Sequence, residues 1–256
     1  MRIVIVSDLH VGSEAGLTPF ANSKLQGQIY NRWADCIKTL GARPDLLVCN
    51  GDAVDGLQLK GRGAGDSDWI SKQIDGAAVL LSEWKPKRIC IVSGTPYHAS
   101  TGCGAVDFEE LLAARLRADG RQKVEFTRKG NFELAGWFRV QFRHKIGSSA
   151  VPHGRMTSPN RSKVWGALNA YADGKKAPHL SVFSHVHYWG YAEDAFGAVM
   201  TTPSWQAIGS AFGDTACDGH VDLGAVQLTV GKTEAEGWSW QKRLYPAAEV
   251  DRTVRL

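Results

Sequence analysis

Four short apolar runs, each closed by acids or imidazoles, constrain this chain more than any other feature. They are Ile3 to Val6, ending in Ser7-Asp8-Leu9-His10; Leu46 to Cys49, ending in Asn50-Gly51-Asp52-Ala53-Val54-Asp55; Ile89 to Val92, ending in Ser93-Gly94-Thr95-Pro96-Tyr97-His98; and Leu180 to Phe183, ending in Ser184-His185-Val186-His187. Short apolar runs bounded by polar turns suit strands buried on both faces. Between the first two runs, Leu25, Ile29, Trp33, Ile37 and Leu40 recur at steps of three and four before Gly41 and Pro44, the pattern of an amphipathic helix with its stop signal. Further helices are expected from about Asp68 to Trp84 and from about Ala105 to Ala118. The order β-α-β-α-β predicts right-handed crossovers and a largely parallel sheet.

After the third helix the pattern changes. Phe138, Val140 and Phe142 alternate with Arg139, Gln141 and Arg143, around an Ala135-Gly136 turn, which predicts an antiparallel hairpin over 131–143. A helix opened by Ser158-Pro159 runs to about Tyr171, the fourth apolar run follows, and the last sixty residues read as short strands completing a second sheet. No repeat or linker divides the chain, so residues 1–256 are read as a single α/β domain with two sheets.

The 43% apolar content supplies a core and excludes disordered, collagen-like and coiled-coil classes. The apolar run at Ile3 leaves no room for a signal peptide, and no stretch approaches about 18 apolar residues; the expectation is a chain that neither spans a membrane nor is secreted. Five cysteines, Cys36, Cys49, Cys90, Cys103 and Cys217, never in C-x-x-C spacing, suggest neither a disulfide framework nor a zinc ribbon and fit a reducing cytoplasm. Cys49 and Cys90 lie inside apolar runs and read as inert thiols. Charge is uneven: residues 115–176 hold 14 Lys and Arg against 4 Asp and Glu, either a solvated basic face or a surface for phosphates or nucleic acid.

Open α/β sheets place ligands at the carboxyl ends of their strands, where all four runs deliver Asp, His or Thr. His144 continues the period-two face of Phe138, Val140 and Phe142 and joins the same cluster. Clustered carboxylates repel one another unless a cation neutralises them, and mixed oxygen and imidazole donors suit manganese, iron or zinc. Other motifs fail: Gly61, Gly63 and Gly65 lack the Lys-Ser/Thr of a phosphate cradle, and no Gly-x-Ser-x-Gly elbow occurs. Trp33, Trp69 and Trp84 fit core or interface faces of helices, while Trp189 and Trp205 are candidates to line a substrate cleft.

Asp8-Leu9-His10, Gly51-Asp52-Ala53-Val54-Asp55, the Gly94 to His98 element, His144 and His185-Val186-His187 together resemble the calcineurin-like metallophosphoesterases. The resemblance covers about residues 1–190. It implies two stacked mixed sheets flanked by helices, and a centre of two divalent ions, with manganese favoured and iron, zinc or magnesium as alternatives. Carried over by position, Asp8, His10 and His187 hold one metal, His144 and His185 the other, Asp52 bridges both, and Asp55 orients a ligand. Two such ions, roughly 3.5 to 4 Å apart, activate a bridging water for in-line attack on phosphorus.

One motif departs from the family. Where Gly-Asn-His is usual, this chain has Gly94-Thr95-Pro96-Tyr97-His98, with two residues inserted and the Asn absent. Thr95 is read as a weak contact to the second metal and His98 as the imidazole that protonates the leaving group. Arg143 and Lys145 either contact the phosphate or face outward. The expected activity is phosphoester hydrolysis, phosphodiesters over monoesters, with nucleic acid as a possible substrate held through 115–176. The competing expectation is a binding module that keeps the fold without turnover, supported by the absent Asn.

Overall fold

Val and Ile dominate the first apolar runs, and their branched side chains favour a pleated backbone that packs on both faces. The structure, a computed structural model, describes residues 1–56, 67–95, 106–121, 123–207 and 221–246. Its first half follows the expected alternation: β1 (Arg2–Val6), α1 (Lys24–Leu40), β2 (Leu46–Asn50), α2 (Ser67–Glu83), β3 (Ile89–Val92) and α3 (Phe108–Ala118). The third helix begins later than Ala105. The Asp107 carboxylate accepts the Glu109 N–H at 3.1 Å and caps the helix there. Gly41, at φ 84°, ends α1 and returns its N–H to Ile37, a left-handed stop that glycine adopts without strain.

A strand that periodicity did not reveal, β4 (Val124–Thr127), pairs parallel to β3. The hairpin follows as β5 (Gly130–Leu134) and β6 (Phe138–Arg143), then α4 (Thr157–Ala172), β7 (Leu180–Phe183), β8 (Gly190–Asp194), β9 (Gly197–Thr201), β10 (Leu223–Val230) and β11 (Trp238–Tyr245). One sheet has the order β11-β10-β1-β2-β3-β4 and the other β5-β6-β7-β9-β8. Strands β1 to β4 are mutually parallel, as are β6, β7 and β9. The expectation that the tail completes the second sheet is therefore corrected for β10 and β11. These eight-residue strands join the first sheet, with β10 antiparallel to β1 in the register Val4↔Gln227.

Alternation along β1 to β3 divides the core. Val4, Val6, Leu47, Cys49 and Ile91 face the helix side with Trp33, Leu81 and Leu112. Ile3, Ile5, Val48, Cys90 and Val92 pack instead against Phe138, Val140, Phe142 and Val182 of the other sheet. Helices α1 to α3 cover the first sheet and α4 covers the second, giving two mixed sheets flanked by helices. Trp33 and Trp84 are buried as expected, but Trp69 is exposed. Trp205 does not line a cleft: its ring is buried 5.0 Å from that of Trp33. Trp189 packs on Trp240 beneath Lys242. Cys36, Cys49 and Cys90 are buried free thiols, and burial pushes Cys90 up to about 12. Among the described residues no helix is long and apolar enough to cross a membrane.

Candidate metal centre

The ladder between β1 and β2 continues past the strand ends and sets the first two loops side by side. Asp8 N–H donates to the Gly51 carbonyl at 3.0 Å, His10 N–H to Asp52 at 3.1 Å and Val11 N–H to Ala53 at 3.1 Å. From the second sheet, β6 delivers His144 and β7 delivers His185 and His187. Two groups of donors result, Asp8 with His10 and His187, and Asp52 with His144 and His185, the ligand atoms within each lying within 4.8 Å of one another. All six are buried except His185, which is half-buried and marks the open side.

The backbone at these positions is unusual. Among the described residues, five of the eight non-glycine residues with positive φ are Asp8 (51°), His10 (45°), Asp52 (48°), His185 (73°) and His187 (56°). A left-handed residue with a side chain costs roughly 1–2 kcal/mol, and such conformations persist where surrounding contacts over-determine them. Here they turn the side chains back from the strand ends toward a common point.

The imidazoles are oriented from behind. His10 Nδ1 lies 3.2 Å from Asp55 Oδ1, and His144 Nδ1 lies 2.7 Å from the Asn50 carbonyl, so each ring is fixed through Nδ1 and turns its Nε2 side toward the carboxylates, an arrangement usual around metal-binding histidines. Asp8 Oδ1 is a buried carboxylate oxygen with no hydrogen-bond partner, and His187 Nε2 lies 3.2 Å from it. Burial alone would raise the Asp8 carboxyl, but His187 and His144 outweigh it and hold it down at about 2. Burial would likewise lower His144, yet Asp52 and Asp8 carry it up to about 10. His185 is held at about 4 by burial and by its neighbour His144. Buried carboxylates with partly neutral imidazoles fit divalent cations of the manganese, iron and zinc type.

Thr95 reaches the same point from β3. Its N–H and its hydroxyl donate to the two oxygens of Asp52, each at 2.6 Å, and the hydroxyl lies 3.4 Å from His144 Nε2. His98 and the loop glycines Gly61, Gly63 and Gly65 lie outside the described residues, as do Cys103 and Cys217. Arg143 points away from Phe142 and is half-buried, and Lys145 is exposed.

A model of the calcineurin-like phosphoesterases matches residues 1–203, most of the chain. The chain belongs to this family. No curated protein matches it. Calcineurin-like phosphoesterase membership agrees with divalent-metal binding and phosphoester chemistry as a class. Among solved structures the chain is similar to vacuolar protein sorting 29 from Cryptosporidium parvum (11% identity, 95% of this chain and 97% of that one, TM-score 0.47). It is similar also to wild-type Vps29 complexed with zinc from Entamoeba histolytica (10%, 95% and 99%, TM-score 0.44) and to a novel archaeal phosphodiesterase (11%, 96% and 100%, TM-score 0.46).

Several residues of this chain carry a role that sequence reasoning did not assign. Asn50 Nδ2 donates to Ser184 Oγ at 2.6 Å; Ser184 Oγ lies 2.7 Å from Thr202 Oγ1, which lies 2.7 Å from Ser7 Oγ. This buried chain ties β1 and β2 to β7 and β9 directly beneath the ligands. Its signal was visible: Ser7, Asn50 and Ser184 each close an apolar run. Glu109 is buried, and its Oε1 accepts the Ala53 N–H at 3.2 Å. Asp222 brackets the ligand turn of β7, donating its N–H to the His187 carbonyl at 2.9 Å and accepting the Trp189 N–H at 2.7 Å.

Proposed function

We propose that this chain is a phosphoesterase that works with two divalent cations, manganese foremost, and prefers phosphodiesters, nucleic acid or nucleotides among them. The observation that carries the reading is the convergence of two acid-and-imidazole groups, one built on Asp8 and one on Asp52, at the strand ends of a calcineurin-like phosphoesterase. In this reading Asp8, His10 and His187 would hold one ion and His144 and His185 the other, with Asp52 shared between them and Thr95 as a weak contact at the second. Bound there, the ions supply Lewis acidity and an activated water for attack on phosphorus.

The remaining roles belong to the chain. Asp55 and the Asn50 carbonyl hold His10 and His144 in place, and the Thr95 hydroxyl fixes the Asp52 carboxylate. His98 hands a proton to the departing alkoxide. The diester preference rests on the basic segment 115–176, which attracts a polyanion. The reading takes 1–256 as one domain acting in a reducing cytoplasm, in keeping with the free buried thiols.

Chelator-stripped protein restored with manganese, assayed on an aryl phosphodiester and its monoester with Asp52→Asn as control, tests this. Turnover that needs both metal and Asp52 is expected, with the diester faster. The absent Asn favours a second reading, a binding module without turnover. It predicts protein that folds, takes up fewer than two ions per chain and cleaves neither ester.

A further inference from the structure

We propose that the outward face of α4 is a platform for single-stranded nucleic acid, an inference that rests on the phosphodiesterase reading and names where its polymer substrate lies. Helix α4 is apolar on the wrong side for a helix that only caps a sheet. Pro159, Lys163 and Ala167 are its buried positions, and even there Lys163 is occupied, with its ammonium 2.8 Å from Asp194 and 3.1 Å from the Gly197 carbonyl. On the opposite face Arg161, Trp165, Leu168 and Ala172 follow one another at helical spacing, all exposed. Trp165 is 60%, Leu168 46% and Tyr171 86% exposed. Trp165, Leu168 and Tyr171 stand three residues apart and so form one contiguous apolar row, the kind of patch that marks a binding surface.

Charge selects the occupant. Arg161, Lys175 and Lys176 are exposed around the rings, and the one acid of the helix end, Asp173, is paired with Lys175 at 3.0 Å. A second copy of this face would bring like charges together, whereas a phosphate strand is attracted to them. Interleaved aromatic and basic side chains are what sequence-tolerant strand binding uses, with bases on the rings and phosphates on the cations. Just ahead of α4, the buried Tyr188 hydroxyl donates to the Arg155 carbonyl at 3.2 Å and anchors the start of the helix to the turn that carries His187. Sixteen residues of helix span about 24 Å, enough for roughly seven stacked nucleotides at about 3.4 Å each.

The test uses the manganese-loaded full chain and a fluorescein-labelled oligothymidylate of about twelve nucleotides with hydrolysis-resistant phosphorothioate linkages, read by anisotropy. Trp165→Ala with Tyr171→Ala should weaken binding at least tenfold. With about three phosphate contacts, raising salt from 50 to 200 mM should weaken the wild type roughly twentyfold, and Arg161→Ala should flatten that slope. Both variants should keep wild-type melting and wild-type turnover of the small aryl diester, so that failure of the platform is separable from failure of the phosphoesterase reading. Wild-type protein that does not bind the strand, or a double variant that binds it unchanged, overturns the proposal. So does sedimentation showing a dimer that Trp165→Ala dissolves while strand binding stays the same, which would make this face a self-association surface.

Discussion

Metal uptake by this chain should release a proton, and the size of the effect follows from the His144 environment. In the metal-free protein Asp52 lies 2.9 Å and Asp8 3.8 Å from His144 Nε2, and together they hold the imidazole at about 10. At pH 7 the ring is therefore charged, and a ring that ligates a cation must first lose that proton. Each unit between ambient pH and pKa costs about 1.4 kcal/mol, so uptake costs about 4 kcal/mol at pH 7 and about 2 at pH 8.5. The apparent affinity for manganese should rise about tenfold per pH unit over this range. His185, held at about 4, contributes nothing. Burial would lower His10, but the hydrogen bond to Asp55 and the charge of Asp52 outweigh it and raise the ring above its ordinary value.

Calorimetric titration of stripped protein in two buffers of different ionisation enthalpy counts the protons directly. About one or more per chain is expected at pH 8. Zero release, together with an affinity flat from pH 7 to 8.5, would refute both the charged state of His144 and its place among the ligands.

Three other outcomes are expected. A charged His144 stabilises the metal-free fold fully below pH 6.5 and ceases to do so as pH rises toward 10, so stripped protein should lose about 4 kcal/mol across that window while loaded protein changes less; thermal melts at stepped pH measure this. The Asp8 carboxylate acts at the other end, its contribution present above about 4 and lost as pH falls toward 2. Asp222→Ala should lower manganese affinity about tenfold with a small change in melting, and Asp222→Asn, which keeps an acceptor for Trp189 N–H, should restore most of it; equal affinity in all three proteins would remove Asp222 from the support of His187. Gly51→Ala puts a Cβ 2.4 Å from His144 Nδ1 at φ 86°, and should cost about 2–4 kcal/mol in urea unfolding and disturb the second donor group.

The strand ends were legible because each of the apolar runs at Ile3, Leu46, Ile89 and Leu180 is short, buried on both faces and followed at once by polar residues. His144 was legible from a different regularity, the period of two through Phe138, Val140 and Phe142. What escaped lacks local pattern. Val124–Thr127 has only four residues and a mixed burial pattern, so its membership of the parallel sheet comes from pairing with β3 and not from its own periodicity. The placement of β10 beside β1 is a long-range choice between two sheets that present similar edges. Trp205 reads as a cleft residue because it follows the His185-Val186-His187 motif, yet it packs against Trp33 and Tyr245 from distant parts of the chain. Asp222 sits in no motif; its role exists only where two loops meet.

The Asp222 clasp makes the centre a product of contacts that are far apart in the chain. Asp8, Asp52 and Thr95 are joined through the first parallel strands, by the ladder that runs on past β1 and β2 and by the hydrogen bonds from Thr95 to Asp52. His144, His185 and His187 arrive with the second sheet, and the turn carrying His187 is held only once residue 222 is in place. The group of Asp8, His10 and His187 is therefore closed by a contact from residue 222, far along the chain from the loop that carries Asp8 and His10.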